Sequence, residues 1–231
     1  MKIVVCVKQV PDTKGGVKFN PDGTLDRGAM LTIMNPDDKA GLEAALRIKD
    51  EYGAEVTVLT MGLPKAEEVL REAIAMGADK GILVTDRVLG GADTWATSTT
   101  IAGALRNIDY DLIITGRQAI DGDTAQVGSE VSEWLNIPSV SNVKKISKVE
   151  SDAITIEMDL PEELEIAKVQ YPCLLSVDKD IFQPRLPSYV KKMDTADREI
   201  EVYSLDDMED KDETHYGLNG SPTQVLSLIH I

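Results

Sequence analysis

Leu112-Ile113-Ile114-Thr115-Gly116-Arg117-Gln118-Ala119-Ile120-Asp121-Gly122-Asp123-Thr124-Ala125-Gln126-Val127-Gly128 is the stretch that decides the fold. It opens on an apolar, strand-like segment, Leu112 to Ile114. It ends by entering a helical pattern with Val127, Val131, Trp134 and Leu135 on one face. A strand that ends in glycine and polar residues and then opens a helix is how α/β proteins hold phosphates. The first N–H groups of such a helix are unpaired, and its dipole favours negative charge there. Gly116 and Gly122 let a ligand approach the backbone closely. The plainer reading is an ordinary strand-to-helix turn. Against it stands the content: Arg117, Gln118, Asp121, Asp123 and Thr124 in one short loop.

Working outward, strands and helices alternate up to about residue 138. Ile3 to Val7 is a continuous apolar run, as for a strand buried on both faces. A polar insertion, Lys14 to Met34, follows, and Phe19 to Leu25 reads as a hairpin around Pro21-Asp22-Gly23. Asn35-Pro36-Asp37-Asp38 predicts a helix start: an Asn cap, Pro at the first position and acids in the first turn. Val56 to Leu59 and Gly81 to Val84 are further buried strands, with a helix opened by Pro64 and ended by Gly77 between them. Leu89-Gly90-Gly91-Ala92-Asp93-Thr94 is a second Gly-rich strand-to-helix loop. These βα units predict an α/β fold with a doubly wound, mainly parallel sheet and right-handed crossovers.

After Pro138 the runs Val140–Val149, Ile154–Met158, Glu165–Gln170 and Leu174–Val177 are short strands in an antiparallel style. Beyond Pro184 the chain reads as a charged, extended arm outside the core. The expected organisation is a nucleotide-binding α/β domain over 1–183 and an arm for subunit and partner docking over 184–231.

Forty acidic and twenty-four basic residues give a net charge of −16. That argues against nucleic acid, which needs a basic footprint, and against anionic membranes. Cys6 and Cys173 lie in separate apolar runs without metal-ligand spacing. The two histidines, His215 and His230, are near the C-terminus, so neither a His-dependent nucleophile nor a metal site is expected in the body of the chain. Met1 to Val7 reads as a strand and not as a signal peptide. No apolar run reaches the length of a membrane span. The expected location is cytoplasmic.

Neither a Walker A sequence nor a GxGxxG after the first strand is present. Gly90-Gly91-Ala92-Asp93-Thr94 is like the pyrophosphate loop of ATP pyrophosphatases, but it follows the third strand where that loop follows the first. The stronger signal is convergence. The loops at Cys6-Val7-Lys8, Asn35-Pro36, Met61-Gly62, Gly90 to Thr94 and Gly116 to Thr124 all belong at the carboxyl ends of strands, where open α/β sheets bind ligands.

Four segments together resemble a known family. They are Val4-Val5-Cys6-Val7-Lys8-Gln9-Val10-Pro11-Asp12, Met34-Asn35-Pro36, Ala75-Met76-Gly77-Ala78-Asp79 and Gly116-Arg117-Gln118-Ala119-Ile120-Asp121-Gly122-Asp123. In this order, over roughly 1–225, they resemble the beta (small) subunit of electron-transfer flavoproteins. The resemblance implies a Rossmann-like nucleotide-binding fold paired with a larger alpha subunit. It implies a bound adenine nucleotide: AMP in simple electron carriers, FAD in electron-bifurcating members. Gly91-Ala92-Asp93-Thr94-Trp95-Ala96-Thr97-Ser98 is similar to a segment of the bifurcating members, where small residues and hydroxyls can receive the isoalloxazine ring.

The implied nucleotide contacts are Cys6, Val7 and Lys8; Asn35, Pro36, Asp37 and Asp38; Met61 and Gly62; Gly90, Gly91, Ala92, Asp93, Thr94 and Thr97; and Gly116, Arg117, Gln118, Ala119, Ile120, Asp121, Gly122, Asp123, Thr124, Ala125, Gln126 and Val127. Plainer readings stand beside these: a helix cap for Asn35, core packing for Cys6 and Met61, and a cap at Asp93 or Thr94 with Trp95 packing locally. The implied reaction has NADH as electron donor. One electron goes toward an acyl-CoA dehydrogenase-type partner, and the other to ferredoxin or flavodoxin. No residue is expected to break bonds as an acid, base or nucleophile. The family's docking loop for the dehydrogenase falls near Pro187-Ser188-Tyr189-Val190. Gly220 to Val225 resembles the family, whereas Leu226 to Ile231 does not, as if the end were truncated or foreign. Two other readings stay open: a stand-alone ATP-binding enzyme, and a structural subunit stabilised by AMP.

Overall fold

Apolar runs without alternation form the middle of the sheet, because both of their faces are covered. β1 (Lys2–Cys6) passes through a short antiparallel pair, β2 (Gln9–Pro11) and β3 (Thr32–Met34), into helix α1 (Pro36–Tyr52). Next come β4 (Glu55–Met61), α2 (Glu67–Met76), β5 (Lys80–Val84), α3 (Thr94–Leu105), β6 (Leu112–Gly116) and α4 (Val127–Leu135). The chain continues through β7 (Ser139–Val149), β8 (Ala153–Asp159), β9 (Leu164–Gln170) and β10 (Cys173–Val177), then α5 (Tyr189–Asp194) and β11 (Glu201–Tyr203). The computed structural model describes residues 1–12, 31–160 and 163–223. The hairpin expected at Phe19 to Leu25 and the C-terminal residues Leu226 to Ile231 lie outside the described residues.

One nine-stranded sheet organises the fold, in the order β11-β5-β4-β1-β6-β10-β7-β8-β9. Every pairing from β11 to β7 is parallel, and β7-β8-β9 closes one side as an antiparallel meander. Ile3, Val5, Val56, Val58, Leu112 and Ile114 pack with α1 and α2 on one face. Val4, Leu59, Ile113 and Leu174 pack with Leu105 of α3 and Val131 of α4 on the other. Adjacent residues of one strand thus bury against opposite layers, each contributing about 1.5–3 kcal/mol. The doubly wound α/β fold is present.

Three local readings are corrected. Leu174 to Val177 is not an antiparallel-style strand: β10 inserts between β6 and β7 and is parallel to both. All five of its residues are buried, the mark of a central strand. The stretch after Pro184 is not wholly a loop-like arm either. α5 packs against α2, β11 extends the sheet beside β5, and Leu205, Met208 and Tyr216 join the core. Finally, Asn35 precedes α1 as expected but makes no side-chain capping bond. Its amide is used elsewhere.

Candidate functional site

The sheet reverses its winding at its centre. From β1 the chain moves outward to β4 and β5, then returns to place β6 on the other side of β1. The crevice outside the carboxyl ends of β1 and β6 is therefore the topological switch point. The segment Cys6-Val7-Lys8 and the loop from Gly116 to Val127 both leave the sheet there, with the first turn of α1 against them.

The acids and the amide of that turn lock the two loops together. Asp38 accepts from Lys8 N at 2.8 Å through Oδ2 and from Gly116 N at 3.0 Å through Oδ1. Asn35 donates from Nδ2 to Gln118 O at 2.8 Å and accepts from Ile120 N at 3.1 Å. Asp37 Oδ2 lies 3.4 Å from Gln118 N. Thus Asn35 and Asp38 spend their side-chain polar atoms on the chain itself and shape the loop, with one long contact from Asp37. Lys8 Nζ reaches both oxygens of Asp121 at 2.8 Å, and Gln118 Nε2 donates to Asp123 Oδ1 at 3.1 Å. Asp123 and Ala125 sit at φ +50° and +54°, a turn that side chains rarely adopt. The N–H groups of Val127, Gly128 and Ser129 precede the first bond of α4, from Glu130 N to Gln126 O.

Burial pushes the Asp38 carboxyl up to about 7, against the pull of its hydrogen bonds from Lys8 N and Gly116 N. Its folded value therefore exceeds the ordinary 3.8. The stability this group contributes is complete below about pH 4 and is lost as pH rises to about 7. Asp38→Asn cannot ionise and keeps one acceptor of two. Its melting temperature should start well below the parent's at pH 4.5, and the gap should narrow by pH 7.5. A constant gap across that range would contradict the assignment. The Cys6 thiol, pushed up to about 12 by burial and by Asp38, stays protonated and acts as packing.

The second glycine loop adjoins the first through two helix starts. The Thr94 hydroxyl lies 3.1 Å from Glu130 Oε1 and 3.3 Å from Gln126 Oε1. Trp95 and Trp134 stack edge to face, 4.9 Å between centroids. Asp93 caps α3 by accepting from Ala96 N at 3.1 Å. Thr97 lies in the first turn of the same helix. Glu130 Oε2, Thr115 Oγ1 and Arg117 Nε are buried without a hydrogen-bond partner, as are Thr60 Oγ1 and Tyr171 Oη elsewhere in the fold. Thr115 Oγ1 faces the first turn of α4, since a Cβ on Gly128 would come within 2.8 Å of it. Each orphaned polar atom costs about 1–3 kcal/mol. The Thr115 hydroxyl and the first N–H groups of α4 can donate to a phosphate, whereas Glu130 Oε2 accepts and would meet a ligand hydroxyl or N–H. Met61 and Gly62 end β4, on the same edge but one strand away from the crevice. Two grooves, one between α1 and β7 and one beside the first turn of α1, include neither glycine loop.

Residues 23–208 match the electron transfer flavoprotein domain. The chain belongs to the electron transfer flavoprotein family. It is 49% identical over 226 residues to the electron transfer flavoprotein subunit beta of Clostridium acetobutylicum, covering 97% of this chain and 86% of that one. It is 48% identical over 229 residues to the caffeyl-CoA reductase-Etf complex subunit CarD of Acetobacterium woodii, covering 98% and 86%. It is 44% identical over 233 residues to the acryloyl-CoA reductase electron transfer subunit gamma of Anaerotignum propionicum, covering 98% and 87%. All three relatives are named as subunits.

The crevice of this chain has two sides. The Asn35, Lys8 and Gly116–Val127 side is stitched by α1. The Gly90–Thr97 side is stitched by α3 and by residues 216–223. Sequence reading placed both glycine loops but missed Glu130 and Thr115, which carry no motif, and the partners of Asp93, which are distant in the chain. No helix among the described residues is long and apolar enough to cross a membrane.

Proposed function

We propose that this chain is the beta subunit of a heterodimeric, electron-bifurcating electron-transfer flavoprotein, and that it holds FAD across both glycine loops. The observation that carries the reading is the joining of those loops at Thr94, Gln126 and Glu130, where Glu130 Oε2 is buried without a partner. AMP needs one loop, while a dinucleotide with a second phosphate, a ribityl chain and a flat ring needs two. Bound there, FAD supplies the redox chemistry by which the two electrons of a hydride from NADH part, one toward an acyl-CoA dehydrogenase-type partner and one toward ferredoxin or flavodoxin, with the proton released.

The chain's own residues bind and orient. Asn35 and Asp38 fix the Gly116–Ile120 backbone, and the start of α4 offers N–H groups to phosphate, while the Arg117 guanidinium is paired with Asp178 at 3.4 Å. Thr115 and Glu130 are in place to meet polar atoms. The alpha subunit is the obligate partner in this reading. One observation favours the second reading, a simple carrier with AMP: Asp93 already occupies the Ala96 N–H, leaving fewer donors at α3 for a second phosphate. The nucleotide content of the purified heterodimer decides. Two FAD without AMP supports bifurcation, and one FAD with one AMP overturns it.

For the dehydrogenase the reading assigns the surface around α5. Tyr189, Val190 and Met193 are exposed on this short helix, where the sequence suggested a loop, and Leu186 is exposed just before it. Tyr189→Ala should slow electron delivery to the dehydrogenase by roughly tenfold, as for a central aromatic anchor, and leave nucleotide content unchanged. Nucleotide loss in that variant would place Tyr189 in the wrong role.

A further inference from the structure

We infer that residues 216–223 form a strap that fixes the Gly90–Thr97 segment, with Asp93, Ser221 and Thr223 as positioning residues for the distal half of the nucleotide. The inference rests on the FAD reading above. The strap crosses the loop and bonds it at successive points. Leu218 N donates to Gly90 O at 3.0 Å. Asp93 N donates to Ser221 Oγ at 2.9 Å, and Ser221 Oγ donates onward to Gly217 O at 2.7 Å. Thr223 donates to Asp93 Oδ2 from its N at 3.0 Å and from its hydroxyl at 2.8 Å. The other Asp93 oxygen caps α3, so one carboxylate joins the strap to the helix start.

The strap is itself anchored. Tyr216 is 1% exposed and donates from its hydroxyl to Asp210 O at 2.8 Å. Gly217 sits at φ +57°, and a Cβ there would run into Val88 O, so the close crossing requires glycine. Opposite it, Gly91 at φ +76° faces Leu218, whose Cβ would lie 3.2 Å from an added Cβ. Capping α3 needs only Asp93 and Ala96. What the strap adds is the orientation of Gly90 to Asp93. Asp93 has both oxygens committed within the chain, so it acts on a ligand through backbone placement and not by contact. Among the described residues the strap bonds the Gly90–Asp93 side and not the Asn35–Gln118 side, and the two sides meet at Thr94, Gln126 and Glu130.

The test uses Ser221→Ala/Thr223→Val in the complex with the alpha subunit. Hydrogen exchange over residues 88–98 should quicken at least about tenfold, since a set of anchoring bonds is lost. FAD release from this subunit, chased with excess AMP and followed by visible absorbance, should quicken about fivefold, with a changed flavin spectrum. Exchange over residues 112–120 should stay as in the parent. Ser221→Ala/Thr223→Ser keeps the hydroxyl at 223 and should recover most of both effects. Unchanged exchange over 88–98 overturns the strap, and faster exchange with unaltered FAD release and spectrum overturns its role in positioning. A parent complex that carries AMP in place of FAD overturns the bifurcation reading, and exchange over 88–98 still decides the strap.

Discussion

Gly116→Val should empty the site of nucleotide and lower the thermal midpoint of the complex by about 6–12 °C, the shift expected for about 3 kcal/mol of overpacking in a chain of this size. The reason is packing against α1. A Cβ on Gly116 would collide with Asp38 Oδ1 and would stand 2.7 Å from both Asp37 Cβ and Asp38 N. Two of these are backbone or Cβ positions that no rotamer can move. Relief requires α1 to retreat from β6, which breaks the Asp38 bonds to Lys8 N and Gly116 N and exposes a buried carboxylate to loss of its donors. Gly122→Ala is the matched control. Nothing lies within 4 Å of its would-be Cβ, so it should leave the thermal midpoint unchanged within the effect of a surface substitution. Weakened nucleotide binding in Gly122→Ala at unchanged stability would place the ligand beside that residue. Thermal scans and nucleotide extraction on both variants check the pair. A Gly116→Val complex that melts like the parent would show that the first turn of α1 is not what limits this loop.

The contrast between these glycines marks what a sequence can and cannot disclose. Leu112 to Gly128 announces a strand, a loop and a helix start, because apolar runs and glycine placement are local properties. Which glycine touches protein and which faces open space depends on α1, some seventy residues earlier in the chain. Asn35 was legible as a helix start, and α1 does begin at Pro36, yet its amide serves Gln118 and Ile120. The two roles have the same local sequence and differ only in what the fold brings opposite. β10 carried a readable signal, five residues without alternation, but its position after an antiparallel meander pointed to the wrong neighbours. The strap was not legible. Ser221 and Thr223 are ordinary polar residues until Asp93, over a hundred residues away, is placed against them.

Replacing Thr94 by Leu should cost this subunit its FAD by at least about tenfold in affinity, roughly 1.4 kcal/mol, while AMP binds within about threefold of the parent. Thr94 stands where the two glycine loops meet. Its hydroxyl donates between Gln126 Oε1 and Glu130 Oε1, and Glu130 Oε2 is already buried without a partner. Leu removes the donor and adds bulk, so it leaves the Glu130 carboxylate with neither oxygen bonded and narrows the path from one loop to the other. AMP does not need that path. Its half of the site is held by Asn35, Asp38 and Lys8, none of which touches Thr94 in the network described above. Thr94→Ser keeps the hydroxyl and should retain FAD, which separates loss of the hydrogen bond from general damage to α3. The measurement is competitive: FAD and AMP are each titrated into the nucleotide-depleted heterodimer, with flavin fluorescence for one and displacement for the other. If Thr94→Leu retains FAD at parent affinity, the flavin does not cross between the loops, and the extended site shrinks to the Gly116 half with AMP as its occupant. If it loses both ligands equally, Thr94 supports the whole crevice, and the division of the nucleotide between the two loops fails.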